Sequence, residues 1–299
     1  MQTYDKRNDN ILIHVGGELL KRADAKVSVF DSTVQGGDAV WEGIRVYKNS
    51  IFQLDNHLNR LQASAKAMAF KDIPNKEDIR KAIFETLEAN GMKDESHIRL
   101  TLSRGIKITS GMDPLLNQSG ACLIVLAEWK APIYDTEGIK LITSSIRRNN
   151  AQCIDSKIHH NNLINNILAK IEANVAGVDD AVMLDLNGFV SETNATNIFL
   201  VKNGVLLTPH ADSCLPGITR SVVIQIAKAN NMEVIERNIS ISEMYTADEC
   251  FTTGTMGELS PVTEVDGRDI YNQGKNNMTA QLLELYLAKA KSEGEQLPF

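Results

Sequence analysis

Apolar residues recur along the chain at two spacings, and the switches between them mark its elements. Ile11 to Val15 is rich in strand-forming residues, and Gly16-Gly17 turns the chain. Val27 to Phe30 and Ile44 to Tyr47 read as further strands, the latter leading through Lys48-Asn49-Ser50 into Ile51 to Leu54. Leu54, Leu58, Leu61, Ala65 and Met68 then recur at helical spacing, with Asp55 near the start. A second helix is predicted from about Asp78 to Ala89, capped by Asn75, striped by Ile79, Ile83 and Leu87 and stopped at Gly91. His97 to Ser103 and Ala121 to Trp129 read as strands.

The segment 130–136 carries Pro132 and no period, so it reads as a linker between a smaller domain, 1–129, and a larger one, 137–299. The second half opens with a strand, Ile139 to Ile146. A polar stretch, Arg147 to Asn162, then leads into a helix from about Asn161 to Val175, with Leu163, Ile164, Ile167, Leu168 and Ile171 on its face. Asn187-Gly188 and Asn203-Gly204 are strong hairpin turns. They join the strands Ala181 to Leu186, Phe189 to Glu192, Asn197 to Lys202 and Val205 to Thr208. A helix from Ile218 to Asn230, a strand Glu233 to Ile239, a short helix Ser242 to Thr246 and a strand Glu249 to Thr253 follow. An Asp266-Gly267 turn and a helix Thr279 to Lys291 close the pattern. Interleaved strands and helices with several hairpins predict two α/β or α+β domains with mixed sheets, not a doubly wound parallel sheet.

Composition narrows the class. The chain has 299 residues, 43% hydrophobic and 23% charged, which suits a globular protein of one large or two ordinary domains. The longest apolar run, Ala121 to Ala127, is far too short to span a bilayer, and the N-terminal stretch has no apolar signal core. A net charge of −7 argues against nucleic acid as the main partner. Cys122, Cys153, Cys214 and Cys250 form no CxxC pair, so the expectation is a reduced, cytoplasmic chain without disulfides or a metal.

Phosphate-loop, dinucleotide-fold, metalloprotease and nucleophile-elbow patterns are absent. Adjacent His159-His160 lacks the spacing of a helical metal pair. Four other segments carry chemistry. Cys214-Leu215-Pro216-Gly217-Ile218-Thr219-Arg220 puts a glycine before a helix, whose first free amides suit a phosphate. Thr252-Thr253-Gly254-Thr255-Met256-Gly257-Glu258 follows an apolar strand and offers hydroxyls and close backbone amides. In Asp155-Ser156-Lys157-Ile158-His159-His160-Asn161-Asn162, a lysine is expected to enter a helix, where the dipole disfavours its charge and so favours Schiff-base chemistry. Val190-Ser191-Glu192-Thr193-Asn194-Ala195-Thr196-Asn197 ends a hairpin strand with a carboxylate among small polar residues. Taken singly, each also reads as a plain turn, polar loop, surface lysine or solvated strand end.

Together with Trp41-Glu42-Gly43-Ile44-Arg45-Val46-Tyr47 and His57-Leu58-Asn59-Arg60-Leu61, these segments resemble the class IV pyridoxal-phosphate aminotransferases, nearest to the branched-chain amino acid enzymes. The resemblance runs from about Val27 to Leu287 and implies the two-domain fold type IV architecture, D-amino acid aminotransferase-like, with pyridoxal 5′-phosphate as cofactor. It implies that Lys157 bonds the cofactor and moves the substrate proton, and that Glu192 faces the pyridine nitrogen. It also implies Arg60, Ile218, Thr219 and Thr255 on the phosphate, with Asn197 beside the cofactor. Arg60 lies opposite the Leu58 stripe, so periodicity alone would turn it to solvent. Trp41 matches a pocket wall, Met256 and Gly257 the turn that receives the substrate carboxylate, and Arg99 an arginine for the acidic co-substrate.

The implied reaction is transamination between L-leucine, L-isoleucine or L-valine and 2-oxoglutarate, in a homodimer whose loop Ile106 to Leu116 reaches the neighbouring pocket. Two features depart from that pattern. Asn162 stands where branched-chain enzymes carry a tyrosine, and Leu102-Ser103-Arg104-Gly105 resembles the D-amino acid enzymes, in which an arginine at the Arg104 position takes the substrate carboxylate. A D-amino acid aminotransferase and an aminodeoxychorismate lyase are therefore the alternatives. If the strand continued, alternation would put residues 99 and 104 on opposite faces.

Overall fold

Why particular residues end or turn the elements is visible in the computed structural model, which describes residues 4–132, 134, 137–270 and 277–299. In chain order the elements are β1 Leu12–Val15, β2 Glu18–Lys21, α1 Ser32–Gly36, β3 Ala39–Tyr47, β4 Ser50–Phe52, α2 Leu54–Ala67, α3 Lys76–Asn90, β5 Ser96–Ser103 and β6 Cys122–Trp129. There follow β7 Ile139–Thr143, α4 Ile164–Ala176, β8 Asp180–Leu184, β9 Val190–Thr193, β10 Asn197–Lys202, β11 Val205–Thr208, α5 Ile218–Ala229 and β12 Val234–Glu236. The last are α6 Ile241–Tyr245, β13 Glu249–Gly254, β14 Glu258–Val265, β15 Arg268–Asp269, α7 Met278–Ser292 and β16 Gly294–Gln296.

The chain divides into two units. The first holds the chain up to Ala131 together with Ile158–Asn162 and Ala290–Phe299; the second holds Pro132–Lys157 and Leu163–Lys289. Two segments that chain order alone put in the second half thus belong to the first unit. The reason is hydrogen bonding. β4 pairs only with Val46 and Tyr47 of β3, so the other half of that strand edge is open. The 158–162 segment takes it: Trp41 N donates to the His159 carbonyl at 2.9 Å and Asn161 N to the Ala39 carbonyl at 2.8 Å. β16 in turn pairs antiparallel with β4. Of the segment 130–136 that the sequence marks as a linker, Ile133, Asp135 and Thr136 lie outside the described residues.

In the first unit the sheet runs β16-β4-β3-β5-β6-β1-β2. Alternation along β3 and β5 buries Val40, Ile44, Val46, Ile98, Leu100 and Leu102 in one core with Leu58 and Leu61 of α2 and Ile79, Ile83 and Leu87 of α3. α3 is bounded as its sequence predicts, with the Asn75 side chain accepting from Asp78 N and Gly91 left-handed at φ 64°. Val27 to Phe30 is not a strand; it runs through irregular backbone into a turn, which hands over to α1 at its cap, Asp31.

In the second unit the order is β12-β11-β10-β13-β14-β7-β8-β9, with β15 on β14. Parallel pairs (β11 with β12, β14 with β7, β7 with β8) sit among antiparallel hairpins, so the sheet is mixed. β14 was not evident in the sequence, because Pro261 interrupts it and removes a backbone donor. α4 begins at Ile164, later than its apolar period suggests, and turns the other way. Ala169 and Ala173 are buried, whereas Ile164, Ile167, Leu168, Ile171 and Val175 are 43–84% exposed. Periodicity finds the apolar face but not what it faces. No helix among the described residues is long and apolar enough to cross a membrane.

Candidate active site

The second unit gathers a lysine, a buried carboxylate and a helix start. Lys157 sits in a turn whose amide is held by the Asp155 carboxylate at 3.0 Å. Its side chain is 45% exposed, and Nζ donates to the Asp212 carbonyl at 3.3 Å. β9 carries Glu192 into the interior. Arg148 Nε donates to Glu192 Oε1 at 2.6 Å, Asn197 Nδ2 to Oε2 at 3.2 Å, and Leu215 N reaches both oxygens at 3.3 and 3.4 Å. Arg148 also donates from Nη1 to Asn165 Oδ1 at 3.0 Å. A buried ion pair is tolerable only with such additional partners. Cys214 lies beside this group. Burial pushes its thiol up to about 12, Glu192 adds to the rise, and Arg220, Arg148 and Lys157 oppose it. Lys157 and Glu192 meet the same short loop: Lys157 Nζ donates to the Asp212 carbonyl, and Leu215, three residues on, donates its N–H to Glu192.

α5 starts at Ile218 behind Gly217, which provides no side-chain cap. The first-turn amides consequently have no helical acceptor and, with the dipole, make an anion cradle. Asn197 fixes the approach by donating to the Leu215 carbonyl at 2.9 Å. A Cβ on Gly217 would stand 2.0 Å from Asn197 Oδ1. Gly217→Ala is therefore expected to destabilise the protein by about 1–3 kcal/mol, as overpacking does. Urea unfolding checks this, and an unchanged midpoint would show that the turn yields freely.

Across the sheet, Gly254 pairs with Glu258, which leaves Thr255-Met256-Gly257 as the loop between β13 and β14. Gly257 is pressed against Tyr134, whose ring carbons would lie 2.6 and 2.8 Å from an added Cβ. The hydroxyls of Thr252 and Thr253 are buried without a partner among the described residues. Asn197 pairs with Thr253, so the Thr253 hydroxyl shares a sheet face with the Asn197 amide. No cluster of His, Cys, Asp or Glu that could hold a metal ion occurs among the described residues.

The first unit holds a second polar group. Glu42 on β3 is fully buried and accepts from His57 Nδ1 at 2.7 Å and from Arg60 Nε and Nη2 at 2.8 and 2.7 Å. His159 Nδ1 lies 3.3 Å from Glu42 Oε1. Burial acts against the carboxylate, but the Arg60 charge and the hydrogen bonds from Arg60 and His159 hold Glu42 well below the usual range. Burial lowers His159 to about 4, so its ring is neutral at pH 7. On the opposite face of β3 and β5, the Arg99 guanidinium lies 3.4 Å from the centre of the Trp41 ring. Arg99 Nη2 donates to Asn161 Oδ1 at 3.0 Å, and burial lowers Arg99 to about 10, leaving it charged at pH 7.

Residues 39–265 match the family model for amino-transferase class IV. The chain belongs to that family. It is 58% identical over 292 residues to branched-chain-amino-acid aminotransferase-like protein 2 of Arabidopsis thaliana, covering 97% of this chain and 52% of that one. The chain thus spans about half the length of that relative. It is 43% identical to a putative branched-chain-amino-acid aminotransferase of Methanocaldococcus jannaschii, over 92% of this chain and 94% of that one. The solved branched-chain amino acid aminotransferase of Thermobaculum terrenum, in its pyridoxal-phosphate holo-form, superposes with a TM-score of 0.84 at 25% identity, covering 95% of each chain. The architecture is the two-domain fold type IV of these class IV enzymes.

Within this class IV chain, the structure brings Lys157, Glu192, Asn197 and the Ile218-Thr219 helix start together in the second unit, with Thr255, Met256 and Gly257 on the adjoining hairpin loop. Trp41, Arg60 and Arg99 are in the first unit. One sequence expectation needs correction, and two open readings are resolved. Lys157 does not enter a helix: α4 begins at Ile164, beyond the reach of a first-turn dipole effect. Arg60, which periodicity alone would turn to solvent and the resemblance would not, is 15% exposed and paired with Glu42. The strand does not continue to Arg104: β5 ends at Ser103, as its sequence predicts. Arg104 donates from Nε and Nη2 to Asp38 at 2.6 and 3.1 Å and from Nη1 and Nη2 to the carbonyls of Ala69 and Met68. That arginine ties loops together and is already neutralised. Asn162 is exposed, and its amide donates to His160 Nδ1 at 3.1 Å. Sequence reasoning missed Arg148, the counter-charge of Glu192. Its only signal was an arginine pair in the polar stretch before Lys157.

Proposed function

We propose that the protein is a pyridoxal 5′-phosphate-dependent transaminase exchanging the amino group between L-leucine, L-isoleucine or L-valine and 2-oxoglutarate. Its products are the branched-chain 2-oxo acids and L-glutamate. The observation that carries the reading is that one loop, 212–218, accepts from Lys157 at Asp212, donates to the Arg148-paired Glu192 at Leu215 and opens the uncapped start of α5. The donor set fits the cofactor: an amine for its aldehyde, a buried carboxylate for its ring nitrogen, and free amides for its phosphate. Thr253 adds a buried hydroxyl that has no partner among the described residues. When bound, pyridoxal phosphate supplies a carbonyl that accepts the amino group and a ring that takes up electrons from the deprotonated Cα.

The residues of this chain do the rest. Lys157 would hold the group through Nζ and would carry the substrate proton on the same atom. Arg148 aims the Glu192 carboxylate, and Asn197 fixes both Glu192 and the turn ahead of α5. Ile218 and Thr219 offer backbone amides to the phosphate, to which we also assign Arg60 and Thr255. Met256 and Gly257 are assigned to the substrate α-carboxylate, and Trp41 to the pocket wall. Among the described residues Arg99 has no carboxylate within ion-pair distance, which suits it to the second carboxylate of 2-oxoglutarate. Arg104, the basis for a D-amino acid enzyme, is paired with Asp38 and so favours the L-branched-chain reading. Assays with L-leucine, D-alanine and aminodeoxychorismate separate the three candidates. Activity on L-leucine with 2-oxoglutarate is expected, and activity on D-alanine alone would overturn the proposal.

A homodimer belongs to the same reading. α4 exposes the stripe Ile164, Ile167, Leu168, Ile171 and Val175, and the 106–116 loop exposes Ile108, Met112 and Leu115. Apolar patches of this kind mark association surfaces. In sedimentation, Ile167→Glu combined with Ile171→Glu is expected to halve the mass. A wild-type monomer would overturn this part.

A further inference from the structure

Asn161 makes side-chain contacts in two directions. Its Oδ1 accepts from Arg99 Nη2 at 3.0 Å, and its Nδ2 donates to Thr33 Oγ1 at 3.2 Å. Its backbone is fixed as well, Asn161 N donating to the Ala39 carbonyl at 2.8 Å. The neighbouring His160 carbonyl accepts from Trp41 Nε1 at 3.1 Å, and the Trp41 ring underlies the Arg99 guanidinium. The amide can point only one way, because its oxygen meets a donor that cannot accept and its nitrogen meets a hydroxyl oxygen. Arg99 is thus oriented by a neutral acceptor and a π face. Arg104, a few residues on, is oriented by a carboxylate that cancels its charge.

We infer that Asn161 is a positioning residue that aims Arg99 at the distal carboxylate of a dicarboxylate substrate while leaving the arginine's charge uncancelled. This rests on the transaminase reading above. An aspartate at the position would hold the guanidinium equally well but would neutralise it. An alanine would leave the charge and release the aim. The two substitutions therefore separate orientation from charge.

The test uses wild-type holoenzyme and the variants Asn161→Asp, Asn161→Ala and Thr33→Val. KM and kcat are measured for 2-oxoglutarate and for L-leucine, with inhibition by glutarate and by 4-methylvalerate and with thermal midpoints for each protein. Asn161→Asp is expected to raise the KM for 2-oxoglutarate and the inhibition constant for glutarate about tenfold or more, as loss of a charge-assisted contact does. The values for L-leucine and 4-methylvalerate should stay within about twofold. Asn161→Ala and Thr33→Val should shift the dicarboxylates in the same direction by less. Equal shifts for both ligand classes, or none for glutarate, would overturn the inference while an active wild type left the transaminase reading standing. A wild type inactive with L-leucine and 2-oxoglutarate would overturn both. Thr33→Val lies outside the 158–162 segment, so it reports even if the Asn161 variants fold poorly.

Discussion

Lys157→Ala is expected to lower transaminase turnover at least about a thousandfold while leaving the fold almost untouched, since it removes the amine that both holds the cofactor and moves the proton. The two effects separate because of where the side chain sits. It is 45% exposed and its Nζ donates at 3.3 Å to the Asp212 carbonyl. Substitutions at such positions usually change stability by less than about 0.5 kcal/mol. Urea unfolding of the two proteins should therefore superimpose, and mixing with pyridoxal phosphate should shift the visible absorbance of the wild type alone. Retained turnover in the variant would remove the basis for the proposed function.

Glu192→Ala should reverse that pattern by damaging stability and turnover together. Glu192 and Arg148 have side chains only 6% exposed each, so removing the carboxylate strands a buried guanidinium and costs about 3–5 kcal/mol. It also removes the acceptor shared by Asn197 and Leu215 N. Glu192→Gln keeps the volume and one acceptor oxygen, so its stability loss should be smaller. Its turnover should still fall about a hundredfold or more, because an amide offers no negative charge to a ring nitrogen. Adding Arg148→Met to Glu192→Ala is expected to recover part of the stability and none of the turnover. Recovery of turnover in that double variant would show that the pair serves only the fold.

Most of what the sequence made legible was local. Helix α3 could be bounded from Asn75 and Gly91, because capping depends on residues within one turn. The Asn187-Gly188 and Asn203-Gly204 turns placed their hairpins for the same reason, since two residues set the turn. What escaped depends on partners distant in the chain. Pro261 argues against a strand until β13 and β7 flank it on either side. Arg60 falls on the polar side of α2 by periodicity, yet Glu42, buried on a neighbouring strand, draws it inward. The α4 stripe is apolar, but no periodicity says that the small face of Ala169 and Ala173 is the one that packs inside the second unit. Of the site, the residue types were readable through the resemblance; the electrostatic arrangement, with Arg148 behind Glu192 and Asp38 on Arg104, was not.

The first unit's sheet acquires its outermost strand from residues 294–296 and part of a β3 edge from residues 158–162. On a ribosome, the rest of that sheet emerges long before either piece exists. Until Gly294–Gln296 arrives, the free edge of β4 presents unpaired amides and carbonyls that invite pairing with other nascent chains. A fragment cut at Ala131 would carry the same exposed edges permanently. It should therefore precipitate when expressed alone.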